Sequence, residues 1–213
     1  MGSTKDNTRS DKHNRILKAA VRVFARYGYF NSKVAQIARE ANVADGTIYL
    51  YFKNKEDILL SLFEDRMDGI IGDLRGSIGD ETDPFRRLTK FISLHFDLIR
   101  KDPDLVSVIT VELRQSAKFM KEYRNDKFRE YLDIVEDIVN DGKSTGVVRQ
   151  DVSPLVVKRG LFGMINELML SQVLSRRRNA QELSQLAKQV IEISIRGIAI
   201  DPEQAIENGC KEV

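Results

Sequence analysis

Thr47, Tyr49, Tyr51 and Lys55 place three hydroxyls and an ammonium within nine residues. Groups of this kind hydrogen-bond to phosphate oxygens and base edges. Their surroundings read as two short helices joined by a tight turn. Val34, Ile37, Ala38 and Ala41 recur at three- and four-residue spacing and form the buried face of the first. Asn42 ends it, because a short polar side chain tolerates the left-handed conformation of a sharp helix exit. In the second, Ile48 and Phe52 face inward. Thr47 and Tyr51 face outward, with Asp45 and Tyr49 alongside. This is the pattern of a helix-turn-helix, whose second helix enters the DNA major groove.

Bond-breaking chemistry has no comparable support. His13 and His95 are the only histidines and fall in different predicted domains. The chain has no Cys/His metal spacing, no phosphate-cradling glycine loop and no nucleophile elbow. Most carboxylates lie beside Lys or Arg on helical surfaces. No catalytic residue, metal or cofactor is expected. Cys210 is the single cysteine, so no intramolecular disulfide can form.

The chain has 213 residues, 42% hydrophobic and 31% charged, the balance of a soluble globular protein. No apolar run approaches the roughly 20 residues of a membrane span. The first residues lack the apolar core of a signal peptide, and Asp6 breaks the myristoylation pattern. Charge is asymmetric. Residues 1–55 hold 11 Lys/Arg against 4 Asp/Glu, and the remainder 23 against 28. A basic end on an acidic body predicts an electrostatic footprint for phosphate at that end.

The elements that position these groups are all helical. Residues 1–10 read as a polar, disordered arm. A first helix from Asp11 to Tyr27 carries Ile16, Leu17, Ala20, Val21 and Phe24 on one stripe, and Gly28 caps it. Ser32 is expected to cap the second helix. Asn54 caps the fourth, with Asp57 reaching back from its first turn. Pro84 opens the fifth and Pro103 the sixth. A seventh is predicted from about Lys118 to Gly142, an eighth from Pro154 to about Leu174, and a ninth over roughly Ala180–Ile200. The expectation is an all-α fold of about nine helices. The predicted divisions are a helix-turn-helix domain over 11–54, a ligand-binding and dimerisation domain over 55–200 and a polar tail over 201–213.

The residues Ile37-Ala38, Ala41, Val43, Gly46-Thr47-Ile48-Tyr49, Phe52 and Asn54-Lys55 resemble the DNA-binding signature of the TetR-type transcriptional repressors. The resemblance implies a double-stranded DNA operator, a small-molecule effector, a homodimer and a bacterial cytoplasmic location. It places Asp45, Gly46 and Thr47 toward the groove, and Tyr49, Tyr51 and Lys55 at phosphates. Tyr51 departs from a common His, and Ala44 from the usual Ser or Thr cap. Asp45 either compensates that cap through the helix dipole or accepts from cytosine N4.

Helices eight and nine are more apolar than surface helices. Phe162, Ile165, Met169, Val173, Val190, Ile191 and Ile195 are the expected dimer interface, packed as four helices from two copies. A monomer with a generous core is the competing reading. In the larger domain, Phe91, His95, Phe96, Ile109, Leu113, Phe128, Tyr131 and Val135 fall on inward faces. They line either a tunnel for an apolar chain or a plain core. Thr110–Ser116, with Glu112-Leu113-Arg114-Gln115-Ser116, is similar to the acyl-CoA-responsive fatty-acid-degradation repressors (FadR-type) of the same family. That similarity implies a long-chain acyl-CoA effector, with Arg114 pairing a CoA phosphate and Gln115 or Ser116 assisting. Arg176–Arg178 read as a solvated loop or an anionic head-group site. Asn166 and Glu167 read as hydrogen-bonded core or interface residues. The alternatives are a repressor answering to another hydrophobic ligand, such as a drug in efflux control, and a helical adaptor that binds protein.

Overall fold

The computed structural model describes residues 3–112, 126–175 and 179–209, and these are helical apart from short connections. In chain order the helices are α1 (Ser3–Tyr27), α2 (Val34–Glu40), α3 (Asp45–Ile48), α4 (Lys55–Ile78), α5 (Pro84–Lys101) and α6 (Pro103–Ser107). A π-helical turn over Val108–Glu112 follows. Then come α7 (Asp126–Ser144), α8 (Pro154–Ser175), α9 (Ala180–Ile198) and α10 (Pro202–Gly209). The chain divides into two compact units. One is Met1–Arg66 with Asp104–Tyr123; the other is Met67–Pro103 with Arg124–Val213.

In the first unit, Ile16, Leu17, Ala20, Val21 and Phe24 of α1 are buried together with Ile37, Ala38, Ile48, Phe52, Ile58 and Leu59. Gly28 has φ +74° and closes α1, its N–H donating to the Phe24 carbonyl at 2.9 Å. Asn42 has φ +53°, the sharp exit expected of it. Three expectations change. Residues 3–10 form the first turns of α1 rather than an arm, since no Gly or Pro interrupts the run from Ser3. Ser32 does not cap α2; its hydroxyl turns back to the Gly28 carbonyl at 2.6 Å. The cap residue is Lys33, whose N–H donates to Gln36 Oε1 at 2.8 Å. Finally, the boundary lies within α4 rather than at its start, and 104–112 joins the first unit. Leu105, Val106 and Val108 are buried there.

In the second unit, Asp83 caps α5 by accepting from the Phe85 and Arg86 N–H groups at 2.7 and 3.2 Å, with Pro84 in the first turn. One face of α5 packs on α7 and the other on α9 and α10. The buried Lys158 of α8 donates to Asp133 at 2.8 Å and pairs with Glu136, tying α8 to α7. These carboxylates raise its pKa. Residues 147–149 run antiparallel to 198–200, with Arg149 N–H on the Ile198 carbonyl at 2.9 Å. Gly142 permits this: a Cβ there would lie 2.5 Å from Val148 Cγ2. The expected polar tail contains a helix, because Ala205 and Gly209 are buried, with Gly209 close to Phe85 and Ile195.

Candidate nucleic-acid interface and ligand-binding core

The turn between α2 and α3 is built from backbone and one arginine. Val43 N–H reaches the Ala38 carbonyl at 3.0 Å. Arg15 of α1 donates to the Ala41 carbonyl at 2.6 Å and the Asn42 carbonyl at 3.2 Å. Arg22 clasps Glu40 at 2.5 Å. Neither arginine was singled out from the sequence. Both sit on the exposed side of α1, and partners 18 or more residues away leave no periodic signal.

Beyond the turn, α3 starts without a side-chain cap at Ala44. Asp45, Gly46 and Tyr49 are exposed and Thr47 is half-buried, so the expected groove-facing groups lie on open surface. Leu50, 72% exposed, shares it and was not anticipated. Tyr51 is half-buried, with its ring 6.2 Å from that of His13, which itself stacks on Phe52 at 5.0 Å. Asn54 Oδ1 accepts the Asp57 N–H at 2.8 Å and Asp57 accepts the Lys53 N–H at 2.8 Å, the reciprocal start expected for α4.

Lys55, expected at phosphate, is engaged within the protein. Its Nζ donates to the carbonyls of Tyr29, Phe30 and Ser32 at 2.6, 3.0 and 2.9 Å and lies 4.7 Å from the Tyr29 ring centre. An ammonium has three protons, and three carbonyls take them. Desolvation lowers its pKa. The same loop is held a second time. Glu112 of the π-helical turn accepts the Tyr29 N–H at 2.7 Å, and its carboxylate lies against Gly28.

In the second unit, six side chains gather between α5, α7 and α8. Phe91, His95, Phe128, Tyr131 and Val135 are buried, and Phe162 meets Phe128 edge-on at 5.0 Å and Tyr131 at 6.4 Å. Phe162, expected at the interface, thus packs against these aromatics. His95 Nδ1 lies 2.6 Å from the Phe91 carbonyl, which can only accept, so Nδ1 carries the proton. Its Nε2 then accepts from the Tyr131 hydroxyl at 2.7 Å. Burial pushes the His95 pKa down to about 4, so the ring is neutral. Burial raises that of Tyr131.

Other expected ligand residues lie elsewhere. Phe96 is on the opposite stripe of α5, facing Leu183 and Ala187 of α9 across a cavity of about 460 Å³. Ile109 is half-buried and belongs to the first unit. Leu113, Arg114, Gln115, Ser116 and Arg176–Arg178 lie outside the described residues. The residues expected at a dimer interface are placed as follows within one protomer. Ile165, Met169, Val190, Ile191 and Ile195 are buried inside the protomer, Ile195 fully, and Val173 is half-buried. The inward stripes of α8 and α9 serve the protomer's own core. Exposed apolar side chains on and beside these helices include Leu155, Val156, Leu174, Ile193 and Ile200.

Comparison with known proteins agrees with this geometry. Residues 16–62 match the bacterial regulatory proteins of the tetR family, and residues 63–197 match the YsiA-like protein C-terminal region. The chain is 37% identical over 187 residues to the fatty acid metabolism regulator protein of Bacillus subtilis (strain 168), covering 88% of this chain and 95% of that protein. Two solved structures superpose with TM-scores of 0.80. The fatty acid degradation regulator FadR of Bacillus halodurans is 33% identical, covering 86% of this chain and 94% of its own. The transcriptional regulator FadR of Bacillus subtilis, in complex with stearoyl-CoA, is 37% identical, covering 86% and 98%. These relatives are regulators, not enzymes. With both regions matched and a regulator aligned over most of its length, the chain belongs to the TetR family of bacterial transcriptional regulators.

Proposed function

We propose that this protein is a homodimeric repressor that binds a palindromic operator and is released by long-chain acyl-CoA. The observation that carries the proposal is the 37% identity, over nearly the whole fold, to a regulator solved with stearoyl-CoA. Among the described residues, no helix is long and apolar enough to cross a membrane, and the bacterial cytoplasm is the proposed compartment.

In this reading Asp45, Gly46 and Thr47 face the major groove, and Tyr49 and Tyr51 donate to phosphate. Lys55 acts as a brace, because its protons are already engaged. The aromatic group around Tyr131 takes the acyl chain, and Arg114 pairs with a phosphate of the head group. Each buried methylene contributes about 0.8 kcal/mol, so affinity should climb with chain length.

Two copies meet through the outward stripes of α8 and α9. Val156, Gly160, Gly163 and Leu174 repeat along the exposed face of α8, and Ile193 of α9 and Ile200 just beyond its end are exposed. Gly160 and Gly163 have open space where a Cβ would stand. Glycine weakens a helix interior, and nothing within the protomer requires it there; a closely approaching helix does.

Titration of acyl-CoAs from eight to eighteen carbons against protein on a labelled operator tests the proposal. Release should strengthen with length and be poor with free CoA. Linkage requires the operator to weaken acyl-CoA binding by the same factor, typically about 5- to 150-fold. Equal acyl-CoA affinity for free and operator-bound protein would rule it out as the inducer.

A further inference from the structure

We propose that the cavity between α5, α9 and α10 is a second ligand site, for a small amphipathic carboxylate that carries no CoA. It lies wholly within the second unit, on the face of α5 opposite His95, and so goes beyond the acyl-CoA reading.

The first observation is a pair of unsatisfied hydroxyls. Thr89 is 4% exposed and lines the cavity, and its Oγ1 has no hydrogen-bond partner; Ser93, one turn on, also lines it with an unpartnered Oγ. A helical Ser or Thr ordinarily donates to the carbonyl four residues back. Thr110 and Ser194 do so here, each at 2.7 Å. Thr89 and Ser93 do not, although burying a hydroxyl unpaired is costly. Gly209 ends α10 beside Thr89, bearing no side chain to cover that oxygen.

The second observation is the division of the walls. Phe96, Leu183 and Ala187 supply an apolar side. Arg86, Lys90 and Arg100 line it with the acid Asp97; Arg100 pairs with Asp97 at 3.0 Å and Lys90 lies 3.6 Å from Glu81, so Arg86 is the cation nearest to free for a ligand. Arg86 is fixed at the edge by its Nε donating to the Asn208 carbonyl at 3.1 Å. Two donors one helical turn apart, with cations beside them and apolar surface beyond, suit a ligand with one anionic acceptor group and a hydrocarbon body. A carboxylate can accept from both hydroxyls. At about 460 Å³ the space is within the range of small-molecule sites.

Octanoate is the probe, with octan-1-ol as the neutral control, followed by calorimetry and ligand-observed NMR on the full chain. Octanoate should bind protein already saturated with stearoyl-CoA, and octan-1-ol should bind more weakly. Thr89→Val with Ser93→Ala should weaken octanoate by about ten- to a hundredfold, the loss expected for hydrogen bonds to a charged group. Stearoyl-CoA affinity should be unchanged. Should that double variant fail to fold, Arg86→Gln gives the same reading at the edge. Absence of octanoate binding up to about 10 mM overturns the site. So does competition with stearoyl-CoA that the variants leave untouched. Release of operator by stearoyl-CoA is read separately, so either proposal can fail alone.

Discussion

The Glu112 carboxylate accepts the backbone N–H of Tyr29 at 2.7 Å, joining residues 83 apart in sequence. Lys55 holds the carbonyls of the same loop. The loop between α1 and α2 is thus fixed by an acid at its donor side and a base at its acceptor side. Both contacts end on backbone, so they survive side-chain changes within the loop and depend on Glu112 and Lys55 themselves.

Replacing Glu112 by Ala should therefore destabilise the first unit. It leaves a buried N–H unpaired, which costs about 1–3 kcal/mol. Glu112→Gln keeps an acceptor and should lose less. Gly28→Ala imposes a left-handed conformation on a side chain at φ +74° and should cost roughly 1–2 kcal/mol. Urea denaturation reads all three, and a Glu112→Ala variant as stable as the parent would remove the contact from the account.

His95 makes stability depend on pH. Its folded pKa is depressed to about 4 from 6.5, so between these values the unfolded chain binds the extra proton. Its contribution is complete above pH 6.5 and falls as pH drops toward 4. From this group alone, about 2 kcal/mol should be lost between about pH 7 and pH 5. His95→Leu should flatten that slope, at the cost of orphaning the Tyr131 hydroxyl. A parent protein whose urea midpoint is the same at both pH values would show that the ring is not buried neutral.

Periodicity and punctuation carried much of the fold. Pro84, Pro154 and Ala180 open helices where expected, and Asn42 takes the left-handed exit assigned to it. What periodicity cannot say is who covers a buried face. The stripe of Val190, Ile191 and Ile195 looked surplus to one protomer, yet α9 lies against α5 and α10 and needs it there. Contacts between a side chain and distant backbone were equally hidden. Arg15 and Lys55 resemble any surface cations in sequence, because their carbonyl partners are a property of the loop and not of a residue type. Glu112 follows Val108-Ile109-Thr110-Val111, and no pattern in the sequence ties it to the loop it holds.

Dimer assembly can now be tested without disturbing the protomer. Gly163→Leu fills open space on α8 and should fold normally while sedimenting as a monomer. Ile193→Asp, at a side chain 61% exposed, should behave alike. Ile195→Glu buries a charge in the core and should unfold the chain instead. If Gly163→Leu remains dimeric at micromolar concentration, the two copies meet elsewhere.

Lys55 and Tyr51 give the sharpest test at the DNA interface, because the two are expected to fail differently. A phosphate contact made by a cation releases about one counterion, so its removal lowers the slope of log K against log salt by roughly one. Lys55 donates to three carbonyls within the protein. Lys55→Ala should weaken operator binding and lower the urea midpoint together, while the salt slope stays at the parent value. Tyr51→Phe should weaken binding to specific and non-specific DNA alike, with little loss of stability, because its half-buried ring keeps its packing near His13 and Phe52. Thr47→Ala should instead change which operator bases matter. Fluorescence anisotropy at four or more salt concentrations, paired with denaturation of each variant, separates these outcomes. A slope reduced by one unit in a Lys55→Ala protein of parental stability would return Lys55 to the phosphate backbone.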